Sequence, residues 1–147
     1  MPLVKLERLI GFPPCHVWAV LSDFGAFQDW AMGGAGTSKV EGDGPGMVRL
    51  LDVPGLGEIA ECLDKLDNEN MHLTYSLLHG NPLGMSSYTA NVQLTPEPIN
   101  KCKISWHGEF MPMPGNDPIT VGQSLKASYV TMTEALTAFL KESLKKA

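Results

Sequence analysis

Turn-forming residues cut the chain at short, regular intervals between Ser38 and Phe110. The breaks are Gly42-Asp43-Gly44-Pro45, Pro54-Gly55, Asp67-Asn68-Glu69-Asn70, Gly80-Asn81-Pro82-Leu83-Gly84 and Pro96-Glu97-Pro98-Ile99-Asn100. Each supplies the Gly, Pro, Asn or Asp that a chain reversal needs. Between them lie runs rich in β-branched and aromatic residues: Ser38–Glu41, Gly46–Val53, Leu56–Leu66, His72–His79, Ser86–Thr95 and Lys101–Phe110. Such runs read as strands, and their order predicts an antiparallel meander.

The flanks have a different texture. Leu3 to Phe12 alternate in part and read as a first strand, closed by Pro13-Pro14. Pro14 suits the first position of a helix, and Val17, Val20, Leu21 and Phe24 follow at helical spacing, predicting a helix from Pro14 to Phe24. Ala26 to Trp30 form one more amphipathic turn before Met32-Gly33-Gly34-Ala35-Gly36 ends the helical opening. Near the other terminus, Asn116-Asp117-Pro118 places a capping acid before a proline. Val121, Leu125, Tyr129, Met132, Leu136, Phe139 or Leu140, and Leu144 then form an apolar stripe along a long final helix. Lys141, Lys145 and Lys146 sit where the helix dipole favours cations.

This order predicts an α+β fold, a curved antiparallel sheet that buries its concave face against the last helix. With 147 residues, 44% of them hydrophobic, and no repeat or linker, one domain spanning 1–147 is expected. A sheet of that length around one helix cannot easily fill its own interior, so a cavity for a small hydrophobic molecule is expected. The net charge of −5 would repel phosphate backbones, which argues against nucleic acid as a partner. No apolar run approaches the roughly 20 residues of a membrane helix, and the opening MPLVKLERLIGF is charged where a signal peptide would be apolar. Cys15, Cys62 and Cys102 are an odd, widely spaced set, neither a disulfide framework nor a metal knuckle. A cytoplasmic protein is expected. His16, His72 and His107 share no ligand spacing, and Gly42, Gly44 and Gly46 lack the ending of a phosphate loop, so neither metal nor cofactor is expected. Both a monomer and a homodimer fit.

Three stretches also carry a family resemblance: Pro14-Cys15-His16-Val17-Trp18-Ala19-Val20-Leu21-Ser22-Asp23-Phe24 with Trp30, the hairpin Glu41 to Arg49, and Glu61-Cys62-Leu63-Asp64-Lys65-Leu66-Asp67 leading to Leu73-Thr74-Tyr75-Ser76. They resemble the polyketide cyclase/dehydrase and lipid-transport branch of the START/Bet v 1-like (SRPBCC) superfamily, over nearly the whole chain. The resemblance implies a helix-grip fold with a seven-stranded sheet. It also implies hydrophobic-ligand binding, lipid transfer, hormone reception, or aldol-type cyclisation and dehydration. No catalytic motif can be matched residue by residue.

Strand parity gives the candidate cavity wall. Tyr88, Ala90, Val92 and Leu94 face inward if their polar neighbours face water, and the same rule turns Ile104, Trp106, Gly108 and Phe110 inward. Leu73, Tyr75, Leu77 and His79 form another inner set, and Ile59, Glu61 and Leu63 a third, with Leu66 out of step and a bulge as one explanation. The expected ligand-binding residues are Trp30, Ile59, Tyr75, His79, Tyr88, Trp106, Phe110 and Tyr129. Trp18, Trp30, Met32, Met111 and Met113 are candidates for the cavity entrance, and Gln123, Ser124 and Ser128 for polar contacts from the last helix.

Three functions stay open. A binding protein needs only the cavity. A cyclase or dehydratase needs Glu61 inside and unpaired as general acid or base, with Tyr75 or Tyr88 stabilising an enolate oxygen; against this, Glu61 could pair with Arg49 on the neighbouring strand. His79 reads as a proton shuttle at the cavity mouth or as a solvated loop residue. The third function is a protein-interaction module.

Overall fold

The computed structural model describes residues 2–33 and 35–145; Gly34 and Lys146, named above, lie outside the described residues. Seven strands form one antiparallel sheet: β1 (Leu3–Ile10), β2 (Thr37–Glu41), β3 (Val48–Val53), β4 (Gly57–Asp67), β5 (His72–His79), β6 (Met85–Glu97) and β7 (Lys101–Pro112). Strands β2 to β6 each pair with the next in sequence, and β1 adds to the outer side of β7, giving the order β1-β7-β6-β5-β4-β3-β2. The sheet holds the long helix α3 (Pro118–Lys145), with α1 (Pro14–Leu21) and α2 (Phe27–Ala31) between β1 and β2. This is the expected helix-grip fold.

Its boundaries follow local chemistry. The first helix is shorter than its spacing suggests: Ser22 closes it on the Trp18 carbonyl at 2.8 Å, and Asp23, at φ −80° and ψ 82°, is non-helical. The chain then makes a 3-10 turn, Phe24–Ala26, which leads into α2. Strand β3 starts at Val48 rather than Gly46 because Gly42, Gly44 and Gly46 all take positive φ (86°, 66° and 94°), a left-handed path that side chains resist. At the start of α3, Asp117 accepts bonds from the backbone N–H groups of Ile119 (3.4 Å) and Thr120 (3.3 Å) and from the Thr120 hydroxyl (2.8 Å). These bonds, that of the hydroxyl above all, lower the pKa of its carboxyl.

The core lies between the sheet and α3. Tyr88, Ala90, Val92 and Leu94 of β6, and Ile104, Trp106, Gly108 and Phe110 of β7, are all buried, as their alternation requires. Helix α3 answers with Val121, Leu125, Tyr129, Thr133, Leu136 and Leu140. Leu144 is exposed, so the stripe outruns the sheet. Among the described residues no helix is long and apolar enough to cross a membrane.

Strand β4 departs from regular pairing twice, between Ala60 and Glu61 and between Leu63 and Lys65. Leu63 pairs with Tyr75 but Lys65 with Thr74, so Asp64 is the extra residue of a bulge. That is why Leu66 breaks the parity of its strand.

Candidate functional site

Where the sheet curves away from α3 the core is not filled. A cavity of about 260 Å³ remains. The outer strands supply Arg49, Leu51 and Val53 from β3, Ile59 and Glu61 from β4, Tyr75 from β5, and Met85 and Tyr88 from β6. Phe27, Ala31 and Met32 close one side; Leu125, Ser128, Thr131 and Met132 of α3 close another, with Pro82 and Leu83 near them. Exposed Leu56 and Thr131 mark where the chamber meets solvent.

The inner wall carries one charged pair. Arg49 and Glu61 face each other across the β3–β4 ladder, and their residues are 5% and 7% exposed, so neither charge is solvated as in water. Arg49 Nε donates to Glu61 Oε1 at 2.8 Å and Nη2 lies 2.7 Å from the same oxygen, leaving Oε2 outside the fork. Nη1 donates to the Phe24 carbonyl at 3.2 Å. The guanidinium carbon is 3.9 Å from the ring centre of Phe24, 4.5 Å from that of Phe27 and 5.0 Å from that of Tyr75. Three rings thus enclose the cation, the kind of environment a weakly hydrated guanidinium tolerates.

Beside the pair runs a chain of hydroxyls. Trp106 Nε1 donates to the Tyr75 oxygen at 3.3 Å, Tyr75 and Tyr88 hydroxyls lie 3.4 Å apart, and those of Tyr88 and Tyr129 2.5 Å apart. Burial, followed by the Glu61 carboxylate, pushes the Tyr75 phenol up to about 12, and burial raises Tyr88 and Tyr129 as well. All three are neutral phenols at physiological pH. Trp106 stacks on Tyr129 with ring centres 5.1 Å apart.

Of the residues that the sequence singles out, Ile59, Glu61, Tyr75 and Tyr88 line the cavity together. Trp30 and Trp106 stand behind it, around a recess of about 20 Å³ that shares Phe27, Arg49 and Tyr75 with the main chamber. Phe110 and Tyr129 are packed into the core at 1% and 0% exposure, and Tyr129 reaches the site only through the Tyr88 hydroxyl.

His79 is turned away from the cavity. Glu61 pairs with Leu77 and Ala60 with His79, so Leu78 is an extra residue and the parity of β5 inverts beyond Leu77. His79 is exposed and continues the row Lys39, Leu50, Ala60 on the outer face. This is the setting that the solvated reading expects. At the expected entrance only Met32 lines the chamber; Trp18 is buried elsewhere, bonded to Asn68 Oδ1 at 2.9 Å, and Met111 is exposed. Of the three polar residues expected from α3, Ser128 lines the cavity, whereas Gln123 and Ser124 are exposed.

Leu51 and Val53 were missed, although they share the parity of Arg49 on β3. That shared parity was the signal that could have found them. The aromatic enclosure of Arg49 has no such signal, since it depends on where the short helices land.

A seven-stranded sheet gripping one long helix, with a chamber between them, defines a helix-grip domain. The chain matches the model of the polyketide cyclase/dehydrase and lipid-transport family over residues 1–147, and it belongs to that family. No curated protein matches it. Among solved structures, the protein XoxI from Bacillus cereus is similar at a TM-score of 0.81 with 24% identity, covering 97% of this chain and 99% of that one. Norcoclaurine synthase from Thalictrum flavum, in complex with dopamine and hydroxybenzaldehyde, is similar at 0.75 with 21% identity, covering 96% and 87%. These likenesses establish the fold.

Proposed function

We propose that the protein binds a small hydrophobic or amphipathic molecule in the chamber between the sheet and α3. The observation that carries this reading is a chamber of about 260 Å³ walled mainly by aliphatic and aromatic side chains, with one ion pair at its inner wall. An apolar wall with few, convergent polar groups is the usual composition of a small-molecule site. Membership of the polyketide cyclase/dehydrase and lipid-transport family supports a lipid- or polyketide-like ligand. The free thiols of Cys15, Cys62 and Cys102 fit the expected cytoplasmic setting.

The test is a comparison of native and denaturing mass spectra of freshly purified protein, followed by titration with naphthalene and medium-chain lipids. A non-covalent mass lost on denaturation, or a saturable change in tryptophan fluorescence with these probes, is expected. A clean apo mass together with a flat response across the panel would overturn the reading.

A second reading, a cyclase- or dehydratase-type enzyme, is favoured by one feature: Glu61 Oε2 lies outside the Arg49 fork in a cavity-lining residue. Glu61 would act as acid or base and the Tyr75 hydroxyl as oxyanion donor. Because Arg49 holds Oε1, the mechanism rests on Oε2 alone. Glu61→Gln abolishes turnover while barely altering affinity on this reading; equal activity of variant and parent would sink it.

A further inference from the structure

We propose that the Arg49–Glu61 pair makes the chamber selective for a hydroxyl-bearing ligand, an apolar alcohol or phenol, whose O–H donates to Glu61 Oε2. The inference rests on the binding function proposed above and names the chemical class it takes. Both contacting nitrogens of Arg49 converge on Oε1, and among the described residues no other group is hydrogen-bonded to Glu61. A carboxylate oxygen accepts up to two bonds, and among the described residues no buried side-chain oxygen lacks a partner, so Oε2 reaches the open space of the chamber, where a ligand can donate to it. The other polar side chains of the lining, apart from Arg49, carry only hydroxyls (Tyr75, Tyr88, Ser128 and Thr131), so this carboxylate oxygen is the strongest side-chain acceptor a ligand can meet there.

The sign of the pair narrows the class further. Arg49 is already neutralised by Glu61, bonded to the Phe24 carbonyl and enclosed by the rings of Phe24, Phe27 and Tyr75. It has no spare charge to offer an anion, and a ligand carboxylate at Oε2 would set two like charges side by side in a poorly solvated place. An ammonium would place a second cation beside Arg49, which one carboxylate cannot neutralise twice. A neutral O–H satisfies Oε2 without adding charge. The tyrosine hydroxyls of the wall, those of Tyr75 and Tyr88, are held in the chain that runs from Trp106 to Tyr129.

The experiment compares three probes of one skeleton, 2-naphthol, naphthalene and 2-naphthoate, by calorimetric titration at neutral pH. A hydrogen bond to a charged group predicts that 2-naphthol binds roughly tenfold or more tightly than naphthalene, with 2-naphthoate weakest. The double variant Arg49→Met/Glu61→Leu, which replaces the pair by apolar groups rather than orphaning one partner, should bind naphthol and naphthalene equally. Equal binding of naphthol and naphthalene by the parent, or tightest binding of naphthoate, overturns the inference and leaves the binding function standing. Failure of all three overturns the inference, and joined to a clean apo mass and a flat response to medium-chain lipids it overturns the binding function as well. The ranking in the parent protein decides without any variant.

Discussion

Two glycines predict opposite responses to the same substitution. A Cβ at Gly108 would lie 2.2 Å from the Tyr129 hydroxyl and 3.0 Å from Tyr88 Cε1, both fixed in the hydroxyl chain. Gly108→Ala therefore has to push Tyr129 off β7, and overpacking of this kind costs about 1–3 kcal/mol. At Gly122 the nearest atoms to a Cβ, on Phe110 and Val4, are at an ordinary 3.5 Å. Gly122→Ala gains helix propensity worth about 1 kcal/mol. Urea midpoints should move down for the first variant and up for the second; a stable Gly108→Ala protein would mean that Tyr129 is not locked. The ion pair gives a second contrast. Arg49→Met alone strands a buried carboxylate and is expected to cost about 3–5 kcal/mol, more than the double replacement with Glu61→Leu. A double variant no more stable than the single one would contradict the packing of the pair. Glu61 was legible as an inward carboxylate and Arg49 as its partner from strand order alone; the closeness of Tyr129 to Gly108 was not, because no local pattern encodes which helical side chain meets which strand.

Elements meet at the hydroxyl chain, which ties β5 to β6 and β6 to α3. Tyr75, Tyr88 and Tyr129 are the protein's only three tyrosines, so phenolate absorbance reports on this junction alone. Their folded pKa values lie above the ordinary value of 10.0, for Tyr75 at about 12. Above pH 10 the unfolded chain releases these protons while the folded chain keeps them, so stability falls as pH rises. The window for Tyr75 runs from about 10 to about 12. Alkaline titration should give no phenolate signal until circular dichroism reports unfolding, after which both change together. Ionisation of a tyrosine near pH 10 in a still-folded protein would refute the buried chain. At this scale the sequence is legible where parity is clean, as at Tyr88, Ala90, Val92 and Leu94. It is not legible at His79, because a single extra residue, Leu78, inverts a strand face without leaving any compositional mark. His79→Ala, an exposed change on the outer face, should shift stability by less than about 0.5 kcal/mol and leave naphthalene affinity unchanged.

For the whole molecule, an unfilled chamber links stability to binding. The fold leaves a chamber of about 260 Å³ between its two layers, where the lining side chains meet fewer protein atoms than they would in a filled core. A ligand that binds only the folded chain supplies those contacts and stabilises it by mass action, about 2.7 kcal/mol at a hundredfold excess over Kd. For a chain of this size that is a rise in Tm of roughly 5–10 °C. Ala31 offers a way to separate filling from binding, since it lines the chamber at the end of α2, half-buried, next to Met32. Ala31→Phe places an aromatic ring in the space a ligand would use. The variant should be at least as stable as the parent without ligand, and its Tm should no longer respond to 2-naphthol. A full thermal shift retained in Ala31→Phe would locate the binding elsewhere, with the outer-face groove of Lys39, Leu50, Ala60 and His79 the first place to look.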